Sequence, residues 1–226
     1  MPTALIYDIH GNLPALEAVL EDARADRFVL GGDYALFGPW PAETVAALRA
    51  LPYATWIRGN VDRWTAAPGE APGNETVQSA IAACREALGD QLVSELAALA
   101  EQVVLDGTRY CHGSPISDLR SFMPEVTDDE HELLGGITEQ RLVFGHTHLA
   151  FRRINADGIE LVNPGSVGMP FDGDVRAAYA VLRDDGTIEH RRVAYDYRAS
   201  AKAVRERFGG ARWTETIARR ISEARI

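Results

Sequence analysis

The sequence has little cysteine, little lysine and no long apolar run. Its two cysteines cannot build a disulfide framework, so we expect a reduced environment and a cytoplasmic protein. The first apolar run meets Asp8 after a few residues, which predicts no signal peptide. No stretch approaches the roughly 20 apolar residues of a membrane span. These absences disfavour a disulfide-rich secreted domain and a membrane protein.

Positive charge is also scarce relative to negative charge. The 226 residues carry 33 Asp and Glu against 23 Lys and Arg, a formal net charge of −10. Proteins that coat nucleic acid gain affinity by neutralising phosphates with Lys and Arg, so a long nucleic acid is not an expected partner. The length and the 46% hydrophobic content suit one α/β domain, 1–226, with a helical tail at about 199–226.

The first part of the chain alternates predicted strands and helices. Apolar patterning predicts strands at Thr3–Ile9, Arg27–Leu30 and Ala54–Ile57, with helices at Leu13–Arg24 and Pro41–Ala50 between them. This alternation indicates parallel crossover connections, and therefore an α/β sheet. A loop is predicted next, at 63–74.

The later part of the chain is typical of β-hairpins. One or two helices, broken near Gly89, are first predicted at 75–100. Three Asp-Gly pairs then lie between runs of strand-forming residues, which is a strong hairpin signal. The pairs are Asp106-Gly107, Asp157-Gly158 and Asp185-Gly186.

Asp, Asn and His occur where predicted strands end, each time beside glycine. The five polar segments are Asp8-Ile9-His10, Gly32-Asp33, Gly59-Asn60, His112-Gly113 and Gly145-His146-Thr147-His148. Because ligands bind beyond the carboxyl ends of strands in open α/β sheets, we expect these segments to converge. The neighbouring glycines leave room for a close approach of backbones.

The residue types in these segments indicate divalent transition metals. Two carboxylates, one amide oxygen and four imidazoles, with no thiolate, form a mixed ligand set. Residues two apart in extended backbone point the same way, so Asp8 with His10, and His146 with His148, are each expected to serve one metal. Seven ligands are too many for one tetrahedral zinc and suit two metals that share a carboxylate.

In this order, the motifs resemble those of the calcineurin-like metallophosphoesterases. The later segment Asn163-Pro164-Gly165-Ser166 resembles one found in the small bacterial phosphodiesterases of that superfamily. The resemblance implies an α/β fold, a four-layer α-β-β-α sandwich of two mixed β-sheets flanked by helices. It also implies two divalent metal ions, which in this family are Mn, Fe, Zn or Ni.

The resemblance assigns the ligands to two metals. One metal is held by Asp8, His10 and His148, the other by Asn60, His112 and His146, and Asp33 bridges them. Two such metals generate a bridging hydroxide that attacks phosphorus, so Asp33, Asn60 and His112 are also expected to be catalytic. The predicted function is hydrolysis of small phosphodiesters, including small nucleotides. The alternatives are a phosphomonoesterase, protein phosphatase or nuclease of the same superfamily, or a non-catalytic metal-binding scaffold.

One position departs from the family pattern. Many members have histidine where this chain has Val61, and valine cannot protonate a leaving group. The neighbouring Asp62 is predicted to assist catalysis by orienting a metal-bound histidine, or else to cap a helix.

The sequence predicts two alternative roles for each of several further residues. Arg58 and Arg63 flank Asn60 and are predicted to bind a substrate phosphate or to form ion pairs. Asn12 is predicted to contact phosphate or to cap the helix at Leu13. Three loop aromatics, Trp64, Phe122 and Phe171, are predicted to stack on a substrate or to pack beneath their own loops. The apolar stripe of the tail, Trp213, Ile217 and Ile221, is predicted to pack within the chain or to pair subunits of a homo-oligomer.

Overall fold

Ten strands and seven helices form the secondary structure of residues 2–226, which the computed structural model describes. The strands are β1 (Thr3–Ile6), β2 (Arg27–Leu30), β3 (Ala54–Trp56), β4 (Gln102–Leu105), β5 (Thr108–Cys111), β6 (Arg141–Val143), β7 (Phe151–Ile154), β8 (Glu160–Asn163), β9 (Ala177–Leu182) and β10 (Ile188–Val193). The helices are α1 (Leu13–Ala23), α2 (Pro41–Arg49), α3 (Asn60–Ala66), α4 (Glu75–Ala97), α5 (Glu130–Leu134), α6 (Tyr197–Phe208) and α7 (Arg212–Glu223). A short 3-10 turn follows α3 at Pro68–Glu70.

The strands form two mixed sheets of five strands each. The first has the order β10-β9-β1-β2-β3, and the second has the order β4-β5-β6-β8-β7. Strands β1, β2 and β3 run parallel, as do β5, β6 and β8. The three predicted hairpins are antiparallel, and β9 also pairs antiparallel with β1. The parallel strands of each sheet therefore bring their carboxyl ends, and the polar segments that follow them, to one edge.

Alternation along β1 shows how the sheets are covered. Leu5 and Tyr7 belong to a core that joins the inner faces of the two sheets, whereas Ala4 and Ile6 face the core beneath the helices. A third core, containing Phe122, lies on the outer face of the second sheet, where α5 and the preceding loop cover it. The predicted α-β-β-α sandwich is therefore confirmed, with six of the seven described helices on the side of the first sheet.

Several predicted boundaries were wrong. Strand β1 ends at Ile6, because the backbone leaves extended geometry at Asp8, whose φ is 53°. Helix α3 occupies part of the predicted loop 63–74, and α5 was not predicted at all. Helix α4 is kinked at Gly89, as the sequence indicates.

The tail contains two helices separated at Gly209, whose φ of 79° ends α6. The stripe Trp213, Ile217 and Ile221 is buried in the core beneath the first sheet, which favours packing within the chain. None of the helices in residues 2–226 combines the length and the hydropathy needed to cross a membrane.

Candidate metal centre

The structure brings all seven predicted ligands together at the carboxyl ends of β1, β2, β3, β5 and β6. Six of the side chains are buried, and His146 is partly exposed. The β1 and β2 segments are joined by the backbone, since His10 N–H donates to Asp33 O at 2.8 Å. Gly145 N–H likewise donates to His112 O at 2.7 Å, which ties the β5 and β6 segments together.

The backbone of the site is unusual. Ten non-glycine residues among residues 2–226 have positive φ, and five of them are predicted ligands: Asp8, His10, Asp33, His146 and His148. Each such residue costs on the order of 1–3 kcal/mol. This concentration of strain is typical of a functional site.

Two glycines make the close approach possible. A Cβ atom at Gly59 would lie 2.2 Å from Asp33 Oδ1, and one at Gly145 would lie 2.5 Å from Asp8 Oδ2. Real Cβ atoms do not tolerate such distances, so any larger residue would displace a carboxylate. The prediction that glycine admits these backbones to the site is confirmed at both positions.

A first cluster of acceptor atoms is formed by Asp8, His10, Asp33 and His148. One ligand atom from each lies within 4.8 Å of the others. The Nε2 atoms of His10 and His148 are only 3.0 Å apart, and His148 Nε2 is 3.5 Å from Asp8 Oδ1.

Fixed tautomers make this first cluster fit a cation. His10 Nδ1 faces Leu36 O at 3.0 Å and His148 Nδ1 faces Met169 O at 2.5 Å, so each Nδ1 must carry the hydrogen. The two Nε2 lone pairs then point at each other, while Asp8 Oδ1 is buried without a hydrogen-bond partner. An orphaned carboxylate oxygen beside two facing lone pairs is a poor arrangement for bare protein and a good one for a metal ion.

A second cluster lies beside the first. Asn60 Oδ1 is 2.9 Å from His112 Nε2 and 2.8 Å from His146 Nδ1. His112 Nδ1 donates to Gly31 O at 2.8 Å, which leaves Nε2 facing the cluster. Carbonyl oxygen and imidazole nitrogen are ligands that Zn, Fe, Mn and Ni accept.

Asp33 lies between the two clusters. Its Oδ2 is 3.7 Å from His10 Nε2, and its Oδ1 is 3.4 Å from His112 Nε2. One carboxylate thus presents a separate oxygen to each group of ligands, an arrangement that suits a bridging ligand.

The ligand side chains are grouped as the family resemblance implies, and not with His146 beside His148 as spacing alone suggests. His146 joins Asn60 and His112, whereas His148 joins His10, so these two histidines do not serve the same cluster. The spacing rule fails here because it assumes extended backbone, and both histidines have positive φ.

Burial and the negative charge of Asp33 have opposite effects on the histidine pKa values in the site. Burial lowers the pKa values of His10 and His148, and burial together with His112 lowers the pKa of His146 to about 4. Burial also acts to lower the pKa of His112, but Asp33 outweighs it and raises that pKa. The first cluster therefore keeps neutral imidazoles, and the carboxylate of Asp33 draws positive charge into the second.

The comparison with known sequences agrees with this geometry. The model of the calcineurin-like phosphoesterase superfamily domain matches residues 1–186. The chain belongs to this superfamily.

Relatives resemble the protein over nearly its whole length. An uncharacterized protein of Methanocaldococcus jannaschii is 28% identical over 231 residues, which cover 90% of this chain and 92% of that protein. The crystal structure of a metallophosphoesterase from Sphaerobacter thermophilus is 26% identical with a TM-score of 0.83, and the match covers 99% of this chain and 100% of that one. A hypothetical protein from Pyrococcus horikoshii shares the fold with a TM-score of 0.84 at 18% identity, covering 99% of both chains.

The segment Asn163-Pro164-Gly165-Ser166 lies behind the candidate metal centre and supports it through hydrogen bonds. Ser166 Oγ donates to Asp8 O at 2.7 Å and accepts from Met169 N–H at 2.8 Å. Asn163 Nδ2 donates to Gly145 O at 3.1 Å. The segment therefore fixes the two strand ends that carry Asp8 and His146.

Asp62 acts on the backbone around Asp33. Its carboxylate accepts from Gly59 N–H at 2.8 Å, Asp33 N–H at 3.0 Å and Tyr34 N–H at 3.2 Å. Burial and the charge of Asp33 raise the pKa of Asp62, and these three donors oppose that rise. Asp62 thus completes the capping box of α3, and its contacts are to the Asp33 backbone rather than to a histidine.

Asn12 has neither of the two roles that the sequence predicts for it. It makes no cap hydrogen bond to α1 and is fully buried. Its Nδ2 donates to Gly168 O at 2.8 Å and to Tyr195 Oη at 3.1 Å, and its Oδ1 accepts from Ser200 Oγ at 2.9 Å. The phosphate and helix-cap predictions are therefore corrected: Asn12 fastens α6 to the loop that carries His10.

A cavity of about 200 Å³ opens onto the candidate metal centre, and we name it the apolar cavity. Its apolar wall includes Phe37, Val61, Trp64 and Phe171, and Arg220 of α7 also lines it. The ring of Phe171 stacks on His148 with centroids 4.4 Å apart. Of the three predicted substrate aromatics, Trp64 and Phe171 reach the site, whereas Phe122 packs against Phe144 in the outer core.

Arg58 and Arg63 line a second cavity, of about 370 Å³, that reaches the centre at His112; we name it the paired-arginine cavity. Arg63 binds both carboxylate oxygens of Asp118, at 2.8 and 2.9 Å, and Arg58 pairs with Glu101. Both arginines form ion pairs in the structure, which is one of the two roles predicted for them. A larger cavity, of about 990 Å³, lies at the opposite ends of the strands and contains none of the seven ligands.

Sequence reasoning missed Arg220. It lies far along the chain from the last ligand, in a helix beyond the matched family domain. A weak signal exists, because Arg220 follows Ile217 by three positions and so falls on the apolar face of α7.

Proposed function

We propose that the protein is a metal-dependent phosphodiesterase that hydrolyses small phosphodiesters at a centre of two divalent cations. The observation that carries the proposal is the position of Asp33, with one carboxylate oxygen toward His10 and the other toward His112. Bound there, two cations would lower the pKa of water toward neutrality and stabilise the charge on the phosphate. Membership of the superfamily supports a phosphoester as the substrate class.

Backbone contacts hold several of the proposed ligands in position for this task. Asp8, His10 and His148 would hold one cation, Asn60, His112 and His146 the other, and Asp33 both. The carbonyl oxygens of Leu36, Met169 and Gly31 fix three of the imidazole rings through Nδ1. Such outer contacts orient ligands and make them more basic.

The nearby serines and the two cysteines are not arranged as nucleophiles. Ser166 Oγ donates to Asp8 O, and Ser114 Oγ donates to Ser117 O. Burial raises the pKa of Cys84 to about 12, and burial raises the pKa of Cys111 as well, so neither thiol ionises near neutral pH. This supports direct attack by water rather than a covalent intermediate.

The shape of the site supports a small diester. The apolar and paired-arginine cavities both adjoin the centre, at about 200 and 370 Å³, and a phosphodiester has two organic groups to place. Cavities for drug-sized ligands measure about 300–1,000 Å³. The apolar cavity is smaller than that range and the paired-arginine cavity lies near its lower end, so both suit small substituents. Val61, which lines the apolar cavity, offers no proton to a leaving group, and this favours esters whose leaving group needs little protonation.

The test is hydrolysis of bis-p-nitrophenyl phosphate by the full chain with Mn²⁺, compared with p-nitrophenyl phosphate and a phosphopeptide. We expect turnover that is lost on chelation, restored by Mn²⁺ and fastest on the diester. Faster turnover of the phosphopeptide or the monoester would replace the proposed substrate class. Bound metal without turnover of any of the three would leave a non-catalytic metal-binding protein.

A further inference from the structure

Among residues 2–226, no side chain pairs with Arg220, a cation beside the candidate metal centre. Its side chain lines the apolar cavity with His10, Asp33 and His148, and its Nε atom is buried without a hydrogen-bond partner. Burial and the neighbouring Arg219 lower its pKa, and no acceptor within residues 2–226 offsets them. A guanidinium stays charged in proteins, so Arg220 bears the cost of an uncompensated charge.

Arg220 is one of several unsatisfied groups gathered here. Five buried side-chain atoms in the described chain lack a hydrogen-bond partner, and three of them belong to Asp8, Trp64 and Arg220. Asp8 Oδ1 faces the first ligand cluster, while Trp64 and Arg220 line the apolar cavity. Buried polar atoms are nearly always paired, so this concentration indicates missing ligands. Asp8 supplies an acceptor for a cation, and the other two supply donors for an anion.

The fold holds Arg220 in place. Helix α7 buries Trp213, Ile217 and Ile221, and the carbonyl at its end, Ala224 O, accepts from Gly173 N–H at 3.0 Å. Gly173 lies in the loop that also carries Phe171. A positioned donor binds its ligand with little loss of conformational entropy.

We propose that Arg220 and the indole N–H of Trp64 bind the phosphate group of the substrate from the side of the apolar cavity. This inference rests on the proposed phosphoesterase function and adds the residues that recognise the anion. The paired arginines at the other cavity already have carboxylate partners, whereas Arg220 has an unused charge. The apolar wall next to it receives one organic group of the ester.

The kinetic test replaces the guanidinium by an uncharged amide, Arg220→Gln. A hydrogen bond to a charged group contributes about 1.5–3 kcal/mol, so we expect kcat/KM to fall about 10- to 100-fold, mainly through KM. Arg220→Lys should restore part of the loss, and Trp64→Phe, which keeps an aromatic ring but removes the N–H with the five-membered ring, should cost about fivefold. Arg219→Gln is the matched control, because it removes the same charge from an exposed neighbouring position and should leave kcat/KM unchanged.

A binding test separates this inference from the proposed function. Affinity for inorganic phosphate is measured by calorimetry on metal-loaded wild type, Arg220→Gln and Arg219→Gln, with metal content and thermal unfolding checked for each. We expect weaker phosphate binding by Arg220→Gln alone, by about tenfold or more, at equal metal content. Equal affinity in all three, or no phosphate binding by wild type, would overturn the role of Arg220. If wild type binds phosphate through Arg220 but hydrolyses no ester, the proposed function fails while the anion site stands.

Discussion

The two cavities that meet the candidate metal centre are opposite in character. The paired-arginine cavity has two cations, Arg58 and Arg63, and each has a carboxylate partner. The apolar cavity has one cation, Arg220, and its Nε has none. The sequence alone draws attention to Arg58 and Arg63, because both lie close to Asn60 in the chain.

The difference shows that an arginine becomes available to a ligand through the absence of a partner rather than through proximity in sequence. Freeing Arg63 would require breaking two hydrogen bonds to Asp118 and one to Glu70. Arg220 Nε makes no hydrogen bond within residues 2–226, so an anion can bind there without breaking one. The largest consequence of a mutation should therefore lie at the ligands of the candidate metal centre, which both cavities adjoin, and the smallest at the paired arginines.

The largest effect is expected for Asp33→Ala. Removing the one carboxylate that faces both clusters should lower turnover by about a hundredfold or more and reduce bound metal, as measured by mass spectrometry of the protein. Asp157→Ala, at the distant β7–β8 turn, is the control and should change neither quantity. Near-wild-type turnover of Asp33→Ala would contradict the bridging assignment.

An intermediate effect, of opposite sign, is expected for Val61→His. The side chain lines the apolar cavity, so an imidazole there could donate a proton to a leaving group. We expect turnover of diesters with poor leaving groups, such as alkyl esters, to rise several-fold, and that of bis-p-nitrophenyl phosphate to change little. Val61→Leu controls for added volume. An equal change for both classes of ester would mean that protonation does not limit the rate.

The smallest effect is expected for Arg63→Gln. Because its guanidinium is already committed to Asp118 and Glu70, its removal should change kcat/KM less than about threefold. Thermal unfolding should report a loss of about 1 kcal/mol or less in the free energy of unfolding. A fall in kcat/KM as large as that of Arg220→Gln would erase the distinction between the two cavities.

The sequence predicts much of the fold and the identity of the clustered side chains. Asp8, Asp33, Asn60, His112 and His146 each follow a strand of the two sheets, so strand prediction was sufficient to foresee their convergence. The Asp-Gly pairs located the three hairpins, because each places a glycine with positive φ in the turn between two strands.

What the sequence could not predict depends on side-chain direction and pairing. The positive φ values of His146 and His148 send the two rings to different clusters, a division that the family resemblance implies but that the spacing of the residues does not encode. The burial of Asn12 depends on Tyr195 and Ser200, far away in the chain. The unpaired state of Arg220 emerges only when α7 is docked against the loop at Gly173.

The most direct test of the two-cation centre is anomalous diffraction from crystals of the protein soaked in Mn²⁺. We expect two anomalous peaks, one within ligand distance of Asp8, His10 and His148 and one near Asn60, His112 and His146. Both peaks should lie within ligand distance of Asp33. A single peak at full occupancy, or two peaks of which only one contacts Asp33, would contradict the proposed centre.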